Sequence, residues 1–256
     1  MSHFLDFSQK VVLVTGSTQG IGKATAELFA EHGATVIINC RHQEHVDSVA
    51  GELKGKGYKA IGLAADVGEE KEVRAMINTI DQRFGRLDVL VNNAAETREN
   101  LKLESIDETM WDRILKIDLG GAINITRAAL ALMKKQDGAS IINLSSSVAF
   151  YGGRTGLHYI CSKGALLSFT KGLAWELRQT GIRVNALMPP LIKTEVLRTD
   201  LAENSYDSVR QVSSLGRLGS PRDIAPVCLF LASDMANYVT GEIISLGGFL
   251  NPTIRI

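Results

Sequence analysis

The sequence has few cysteines and no charge imbalance, and each absence excludes a class of protein. Its three cysteines, Cys40, Cys161 and Cys228, are spread over 256 residues. They are too few and too scattered for a disulfide framework or a zinc site. Lysine plus arginine and aspartate plus glutamate balance at 28 each, so no broad electrostatic field favours nucleic acid or an anionic membrane. We therefore expect no metal ion and no nucleic-acid partner.

Targeting and membrane signals are also missing. Residues 1–7 have no apolar core of the kind found in a signal peptide, and no segment approaches ~18 consecutive apolar residues. We therefore expect a cytoplasmic protein with no membrane partner. The length of 256 residues suits one large α/β domain with a substantial buried core.

Short β-branched runs alternate with longer amphipathic stretches along the chain. This alternation predicts a doubly wound parallel sheet of about seven strands with helices on both faces. The predicted strands are Val11–Val14, Thr35–Asn39, Ala60–Ala64, Val89–Asn92, Ser140–Leu144, Arg183–Leu187 and Glu242–Leu246. The clearest predicted helices are Ala24–Glu31, Glu44–Lys54, Lys71–Phe84, Met110–Lys134, Ala165–Gln179 and Asp223–Ala232. No repeat or linker divides the chain, so we expect residues 1–256 to form one domain.

The first predicted strand leads into a glycine-rich turn, which reads Thr15-Gly16-Ser17-Thr18-Gln19-Gly20-Ile21-Gly22. Glycine lets the backbone approach a pyrophosphate closely, and the helix that follows offers unpaired N–H groups and a positive dipole end. The spacing is Gly-x-x-x-Gly-x-Gly, not the Gly-x-Gly-x-x-Gly of the common fingerprint. The turn predicts a dinucleotide-binding unit, although a turn that serves packing alone could also be rich in glycine.

Tyr159 and Lys163 are four residues apart, and Ser146 lies thirteen positions before Tyr159. On a helix, residues i and i+4 share one face, so the phenol and the ammonium project into the same space. A phenol has a pKa near ~10, and a nearby cation stabilises the phenolate and lowers that pKa. Such a tyrosine can act as general acid or base toward a carbonyl or an alcohol.

Together these motifs resemble the short-chain dehydrogenase/reductase family over nearly the whole chain. The distance from Asn143 through Ser146 to Tyr159 fits the family pattern without a gap. The markers are Thr15-Gly16-x-x-x-Gly20-Ile21-Gly22, Asp66-Val67, Asn92-Asn93-Ala94-Ala95, Ser146, Tyr159-x-x-x-Lys163 and Val184-Asn185. The resemblance implies a Rossmann-type fold and hydride transfer between a nicotinamide cofactor and a carbonyl or alcohol carbon.

The resemblance also implies roles for individual residues. Tyr159 would exchange the proton, Lys163 would assist it and bind the nicotinamide ribose, and Ser146 would hydrogen-bond the substrate oxygen. Ser145 and Ser147 are interpreted as strand-end polar groups, although an error of one position stays open. Asp66 would bind the adenine amino group, or alternatively cap the helix at Glu69-Glu70. The candidate cofactor-binding residues are Gly16, Ser17, Thr18, Gln19, Gly20, Ile21, Gly22, Arg41, Asp66, Val67, Asn92, Ala94, Tyr159, Lys163, Pro189, Ile192 and Thr194.

The end of the second strand bears on the choice between NADP and NAD. An acidic residue there binds the adenosine ribose and repels a 2′-phosphate, whereas an arginine accommodates the phosphate. Here Cys40 occupies the acidic position and Arg41 follows it, which predicts NADP(H) in preference to NAD(H). Gln19 weakens the argument, because that position is often basic in NADP-using relatives. Alternatively, Arg41 is a solvated charge at the start of a helix.

Three positions depart from the family pattern. Asp118 replaces the usual asparagine, Ala95 replaces a glycine, and Pro190 replaces the glycine of the usual Pro-Gly. In the family, that asparagine helps to hold a water leading from the lysine to solvent, partly through its main-chain carbonyl. Aspartate keeps the carbonyl but loses two amide donors and brings an additional carboxyl group. We therefore include Asp118 among the candidate catalytic residues and expect the relay to survive with a shifted pH profile.

The leading hypothesis is an NADP-dependent ketone reductase or secondary-alcohol dehydrogenase acting on a small molecule. One alternative is a catalytically degenerate cofactor-binding or regulatory protein of the same fold, and another is a lyase or epimerase. The resemblance implies that residues 189–219 close over the substrate, although a long surface loop is the simpler interpretation. It also implies a homodimer or homotetramer through the helices at Met110–Lys134 and Tyr159–Gln179, whose apolar positions could instead belong to the core.

Overall fold

One parallel sheet organises the protein. The computed structural model describes residues 4–96, 100–153, 155–194 and 215–247. Within them, seven strands follow the order β3-β2-β1-β4-β5-β6-β7, and every neighbouring pair is parallel. The strands are β1 (Val11–Val14), β2 (Thr35–Ile38), β3 (Lys59–Gly62), β4 (Val89–Asn92), β5 (Ser140–Leu144), β6 (Arg183–Met188) and β7 (Ile243–Ser245). The predicted doubly wound parallel sheet is confirmed.

Helices cover both faces of the sheet. They are α1 (Gly20–Glu31), α2 (Gln43–Gly55), α3 (Glu70–Phe84), α4 (Glu108–Ile114), α5 (Gly121–Met133), α6 (Val148–Tyr151), α7 (Leu157–Glu176) and α8 (Pro221–Ala232). Short 3₁₀ turns occupy Leu103–Ser105 and Asp234–Ala236. Successive residues of a strand face opposite sides, so β1 contributes Val12 and Val14 to one apolar core and Val11 and Leu13 to the other. The first core takes residues from α1, α2 and α8, and the second from α3, α5 and α7.

The predicted helix at Met110–Lys134 differs from the structure. The helical segment begins at Glu108, where the Asp107 side chain accepts a hydrogen bond from the N–H of Met110. Between α4 and α5 the backbone follows a π-helix over Leu115–Gly120. π-Helical turns within helices are rare and frequently lie at functional sites. Hydrophobic periodicity alone could not separate the two helices, because the π-helical turn joins them without a non-helical residue between.

Four predicted strands and the start of each predicted helix also need adjusted bounds. β2 ends at Ile38 rather than Asn39, and β3 spans Lys59–Gly62 rather than Ala60–Ala64. β6 ends at Met188 rather than Leu187, and β7 spans Ile243–Ser245 rather than Glu242–Leu246. α7 begins at Leu157 rather than Ala165 and ends at Glu176. Its early start confirms that Tyr159 and Lys163 lie on one helix. In the part of the chain that the structure describes, no helix is long and apolar enough to cross a membrane, and no cluster of potential metal ligands occurs.

Candidate active site

The carboxyl ends of the central strands surround a cavity of about 510 Å³. It lies where the strand order changes direction, between β1 and β4, and open α/β sheets bind their ligands at such a switch point. Its wall includes the glycine-rich turn, the ends of β2 and β3, the segment after β4 and the start of α7. One cavity therefore joins the two motifs that the sequence places far apart.

The glycine-rich turn has a conformation that requires glycine at two positions. Gly16 and Gly20 adopt φ values of +61° and +55°, in the left-handed region that other residues avoid. A Cβ on Gly16 would lie 2.9 Å from the Cα of Ala94, so a side chain there would collide with the neighbouring backbone. The side chain of Gln19 does not cap α1, and the dipole and N–H groups of a helix N-terminus favour an anion.

Thr15 and Asn93 hold the turn against the segment after β4. The Thr15 hydroxyl accepts hydrogen bonds from the N–H groups of Asn93 and Ala94, both at 3.0 Å. The Asn93 amide donates to the carbonyl oxygens of Thr15 and Gly16 at 2.8 and 3.0 Å. These contacts hold the glycine-rich turn and the segment after β4 together, and so fix the distance between the two sides of the cavity.

Arg41 and Asp66 lie at the end of the cavity formed by β2 and β3. His42 and His45 line the same region, with ring centroids 5.2 Å apart. The Asp66 carboxylate accepts a hydrogen bond from the N–H of Gly68 at 2.8 Å. It does not cap α3, which begins at Glu70 after Glu69, so the helix-cap alternative for Asp66 is wrong.

Ser146, Tyr159 and Lys163 all line the cavity. Lys163 Nζ lies 5.6 Å from the centroid of the Tyr159 ring and donates a hydrogen bond to the carbonyl of Leu144 at 3.3 Å. Ser145 also borders the cavity, but its hydroxyl donates to the carbonyl oxygen of Lys163 at 2.7 Å. Among the described residues, the Ser146 hydroxyl oxygen accepts only a long 3.4 Å hydrogen bond from the N–H of Val148. Ser146 therefore has the hydroxyl with more freedom to meet a ligand.

Asp118 lies behind Lys163, in the π-helical turn, and does not form part of the cavity wall. Its Oδ2 lies 3.3 Å from Lys163 Nζ and 2.9 Å from the Ser162 hydroxyl, while its Oδ1 accepts from the N–H of Glu96 at 2.8 Å. The side chains of Asp118 and Lys163 are 0% and 3% exposed. Asp118 stabilises the charged lysine, and the pKa of Lys163 is raised although its burial acts in the opposite direction.

Three other candidate residues also lie off the cavity wall. The Ser17 hydroxyl is fully buried and donates to the carbonyl of Val14. Gly22 packs against the carbonyl of Gly16. Asn92 donates hydrogen bonds to Thr126 at 3.2 Å and to Asn143 at 2.9 Å, so its amide ties β4 to β5 and does not line the cavity. The wall after β4 is formed by Asn93, Ala94, Ala95 and Glu96.

The structure adds wall residues that the sequence motifs did not identify. Motif reasoning had no means to find most of them, because they follow strand ends without a fixed spacing. Some of them are expected near the cavity from sequence: Ala95 and Glu96 follow the Asn92-Asn93 pair, and Pro190 lies at the start of the segment predicted to cover the substrate, whereas Cys40 stands out only as a departure from an acidic position. The added residues are Asn39, Cys40, His42, His45, Ala65, Asn93, Ala95, Glu96, Ile117, Leu144, Ser145 and Pro190.

The segment predicted to close over the substrate is described only at its two ends. Pro189, Ile192 and Thr194 line the cavity as expected for cofactor-binding candidates. Ile192 pairs with Gly219 in an isolated parallel bridge, and the Lys193 N–H donates to the carbonyl of Gly219 at 2.8 Å. The two described ends of this segment therefore meet beside the cavity. Residues 195–214 lie outside the described residues.

The residues present fit a nicotinamide dinucleotide. The narrow glycine turn and the N-terminus of α1 that follows it suit a pyrophosphate. The polar residues at the β2–β3 end suit an adenosine, and the Tyr159 and Lys163 region suits a reacting centre. The fold and this cavity define a nucleotide-dependent oxidoreductase of the Rossmann type.

Comparison with known proteins gives the same class. A family model described as enoyl-(acyl carrier protein) reductase matches residues 16–249. The chain is 40% identical to 3-oxoacyl-[acyl-carrier-protein] reductase FabG of Thermotoga maritima, covering 94% of this chain and 97% of that protein. It is 39% identical to a 3alpha-hydroxysteroid dehydrogenase of Mediterraneibacter gnavus, covering 96% and 98%.

A solved structure is also close in fold. L-Sorbose reductase of Gluconobacter frateurii, in complex with NADPH and L-sorbose, superposes with a TM-score of 0.90 at 31% identity, covering 96% of this chain and 98% of that one. The chain described here belongs to the short-chain dehydrogenase/reductase family and is an NAD(P)-dependent oxidoreductase.

Proposed function

We propose that the protein is an NADP-dependent reductase of small ketones, which also oxidises the corresponding secondary alcohols. The observation that carries this proposal is that Ser146, Tyr159 and Lys163 share one cavity with the glycine-rich turn. A protein that only bound a nucleotide would need the turn but would have no chemical need for all three side chains.

Each of the three side chains has a distinct role in the proposed reaction. The nicotinamide, when bound, supplies the hydride or accepts it. Tyr159 donates its hydroxyl proton to the oxygen of the carbonyl, or removes that proton from the alcohol in reverse. Lys163 provides a positive charge beside the phenol and a donor for the nicotinamide ribose. Ser146 donates a hydrogen bond to the substrate oxygen, where negative charge develops.

A panel of carbonyl compounds tests this function. We expect NADPH to be consumed in equal amount to the alcohol formed with at least one of three probes: a short 3-oxoacyl thioester, L-sorbose and a 3-oxo steroid. The probes follow the names of a FabG relative, the sorbose reductase and the hydroxysteroid dehydrogenase. Product formation without net NADPH consumption would favour a lyase or epimerase. Tight NADPH binding without turnover of any probe would favour a regulatory protein.

The preference for NADP rests on Arg41. Its side chain borders the adenosine end of the cavity, and no carboxylate from β2 occupies the position that a 2′-phosphate would take. Solved relatives do not decide the matter, since the sorbose reductase holds NADPH and a 3-ketoacyl-(acyl-carrier-protein) reductase of Brucella melitensis holds NADH. The guanidinium can donate two parallel, charge-assisted hydrogen bonds to a phosphate, whereas a ribose hydroxyl offers it a single uncharged acceptor.

Replacing Arg41 by alanine is expected to weaken NADPH binding by about 10- to 100-fold, since a hydrogen bond to a charged group contributes about 1.5–3 kcal/mol. NADH binding should change by less than about twofold, because its ribose carries no phosphate. Titration of nicotinamide fluorescence measures both. Arg178→Ala removes the same charge from the ring of Trp175, away from the cavity, and should change neither. Equal losses for NADPH and NADH would disprove a phosphate role for Arg41.

Two further expectations belong to the same proposal. We propose that the chain acts in the cytoplasm as one domain and associates as a homodimer or homotetramer. The indole of Trp175 on α7 is 71% exposed, which leaves apolar surface on one of the helices predicted to pair. Sedimentation of the purified protein as a monomer at micromolar concentration would rule out the association.

A further inference from the structure

The charge of Lys163 is balanced by Asp118 inside the protein. Lys163 Nζ lies 3.3 Å from Asp118 Oδ2, and neither side chain has appreciable contact with solvent. The two residues come from different elements, the π-helical turn and α7. A buried charge is rare unless a partner of opposite charge accompanies it, and here the carboxyl group and the amine are placed as such partners.

Three donors converge on the Asp118 carboxylate. The N–H of Glu96 reaches Oδ1 at 2.8 Å, and the Ser162 hydroxyl and Lys163 Nζ both approach Oδ2. An ionised carboxylate accepts on both oxygens, whereas an asparagine amide has one acceptor and presents N–H donors on its other side. The surroundings therefore match the charged form of aspartate. Burial alone would lower the pKa of Lys163, and the negative charge of Asp118 raises it instead.

We propose that Asp118 is the counter-ion of Lys163 and that it raises the pH at which the Tyr159–Lys163 pair releases its first proton. Asp118 touches neither the cavity nor the proposed reacting atoms, so it is a positioning residue. The proposal deepens the proposed function, because it concerns the proton that Tyr159 would donate.

The reason is the net charge of the three groups. With Asp118 ionised and Lys163 protonated, the group of three side chains is neutral while Tyr159 keeps its proton. Losing a proton then leaves a net negative charge in a buried site, which is unfavourable. Without the carboxylate, the same loss converts a net positive site into a neutral one. Tyr159 and Lys163 are coupled, so this statement concerns the first proton lost by the pair and not by either residue alone.

Other titratable groups nearby do not replace Asp118. The Glu96 carboxylate is directed to Arg113 of α4, 2.7 Å away. His158, beside Tyr159 on α7, is buried with its ring 6.1 Å from Trp111 of α4. Cys161 is exposed. The β5 side contributes Ser145 and Ser146, which do not titrate in this range. Among the described residues that pack against Lys163, Asp118 is thus the carboxylate that meets its ammonium.

The test compares Asp118→Asn with the unaltered protein by two pH titrations. The first follows the near-ultraviolet absorbance of phenolate, and a Tyr159→Phe variant is subtracted because the chain has 5 tyrosines. The second follows the rate of NADPH-dependent reduction of the best carbonyl probe. We expect the phenolate signal, and the pH at which the reduction rate falls by half, to move to lower pH by at least about one unit, as is usual for a charge within a few ångströms.

Two matched variants separate this effect from a loss of structure. Asp88→Asn removes another buried carboxylate, which accepts from Arg86 at 2.7 Å and from the N–H of Val11 at 2.9 Å. Asp88 precedes β4, at the amino ends of the strands, whereas the cavity lies at their carboxyl ends. Ser162→Ala removes a hydrogen bond to Asp118 and no charge. We expect both to leave the midpoints within a few tenths of a pH unit.

The outcomes separate the inference from the proposed function. An unchanged phenolate midpoint in folded Asp118→Asn, or an equal shift in Asp88→Asn, would overturn the inference even if carbonyl reduction proceeds. A shifted midpoint in a protein that reduces no probe would support it while the proposed function fails. If Asp118→Asn does not fold, the Asp118→Asn/Lys163→Met double variant removes both charges. It should fold and resist urea better than Lys163→Met alone, and a less stable double variant would contradict the ion pair.

Discussion

Replacing Tyr159 by phenylalanine is expected to reduce NADPH-dependent carbonyl reduction by about 10²- to 10⁴-fold or more, the usual contribution of a general acid. Phenylalanine keeps the ring, which is largely buried beside Lys163, and removes only the hydroxyl that would donate the proton. NADPH binding should therefore stay within about threefold of the unaltered protein, because the glycine turn and Arg41 are untouched. Steady-state rates and fluorescence titration measure the two quantities separately.

Tyr238→Phe provides the control for this variant. Tyr238 is fully exposed and lies outside the cavity, so loss of its hydroxyl should leave both turnover and binding unchanged. Undiminished turnover in Tyr159→Phe would remove Tyr159 from the chemistry. A parallel loss of turnover and of NADPH binding would mean that the hydroxyl serves the cofactor and not the proton transfer.

Replacing Gly22 by alanine is expected to damage both the fold and the cofactor site. A Cβ at this position would collide with the carbonyl oxygen of Gly16 and lie 2.5 Å from Asn93 Nδ2. Both atoms belong to the network that fixes the glycine turn, so the turn or α1 must move. Overpacking of this kind typically costs about 1–3 kcal/mol. We expect a lower urea midpoint and, because the pyrophosphate site is displaced, NADPH binding weakened by at least about tenfold.

Gly51→Ala is the matched control, since it adds the same methyl group to a helix. Gly51 lies within α2, and a Cβ there would have no neighbour within 4 Å. Alanine in a helix interior is favoured over glycine by about 0.5–1 kcal/mol, so this variant should raise the urea midpoint and leave NADPH binding unchanged. Normal binding and normal stability in Gly22→Ala would show that the turn tolerates a shift, and the close packing of Gly22 against Gly16 and Asn93 would not be needed for the cofactor site.

The fold was accessible from the sequence because its signals are local. The strands of a sheet buried on both faces are near-continuous apolar runs, as in Val11–Val14. The helices between them repeat their apolar positions with helical spacing. Sequence failed where the backbone departs from a regular period. The amino-acid composition of Leu115–Gly120 does not distinguish a π-helical turn from an α-helix. One helix was therefore predicted in place of α4 and α5.

It was harder to predict from sequence which individual side chains face the cavity. Motif spacing placed Ser146 near the cavity but could not separate it from Ser145. The structure separates them, because the Ser145 hydroxyl is engaged by the carbonyl of Lys163. Asn92 belongs to a recognisable motif, yet its amide bonds to Asn143 of the neighbouring strand. A motif records which residue types recur, and side-chain direction depends on what packs against them.

By itself, the sequence determined the order of strands and helices, the glycine turn, and the common face of Tyr159 and Lys163. These features depend on neighbours within one or two turns of chain, where backbone sterics and helix geometry act directly. The tertiary structure alone decided that the cavity joins both motifs and that Asp118 meets Lys163 as a buried ion. Such contacts link distant segments, and whether a carboxylate ends beside a lysine or in water is fixed only when the sheet and helices pack.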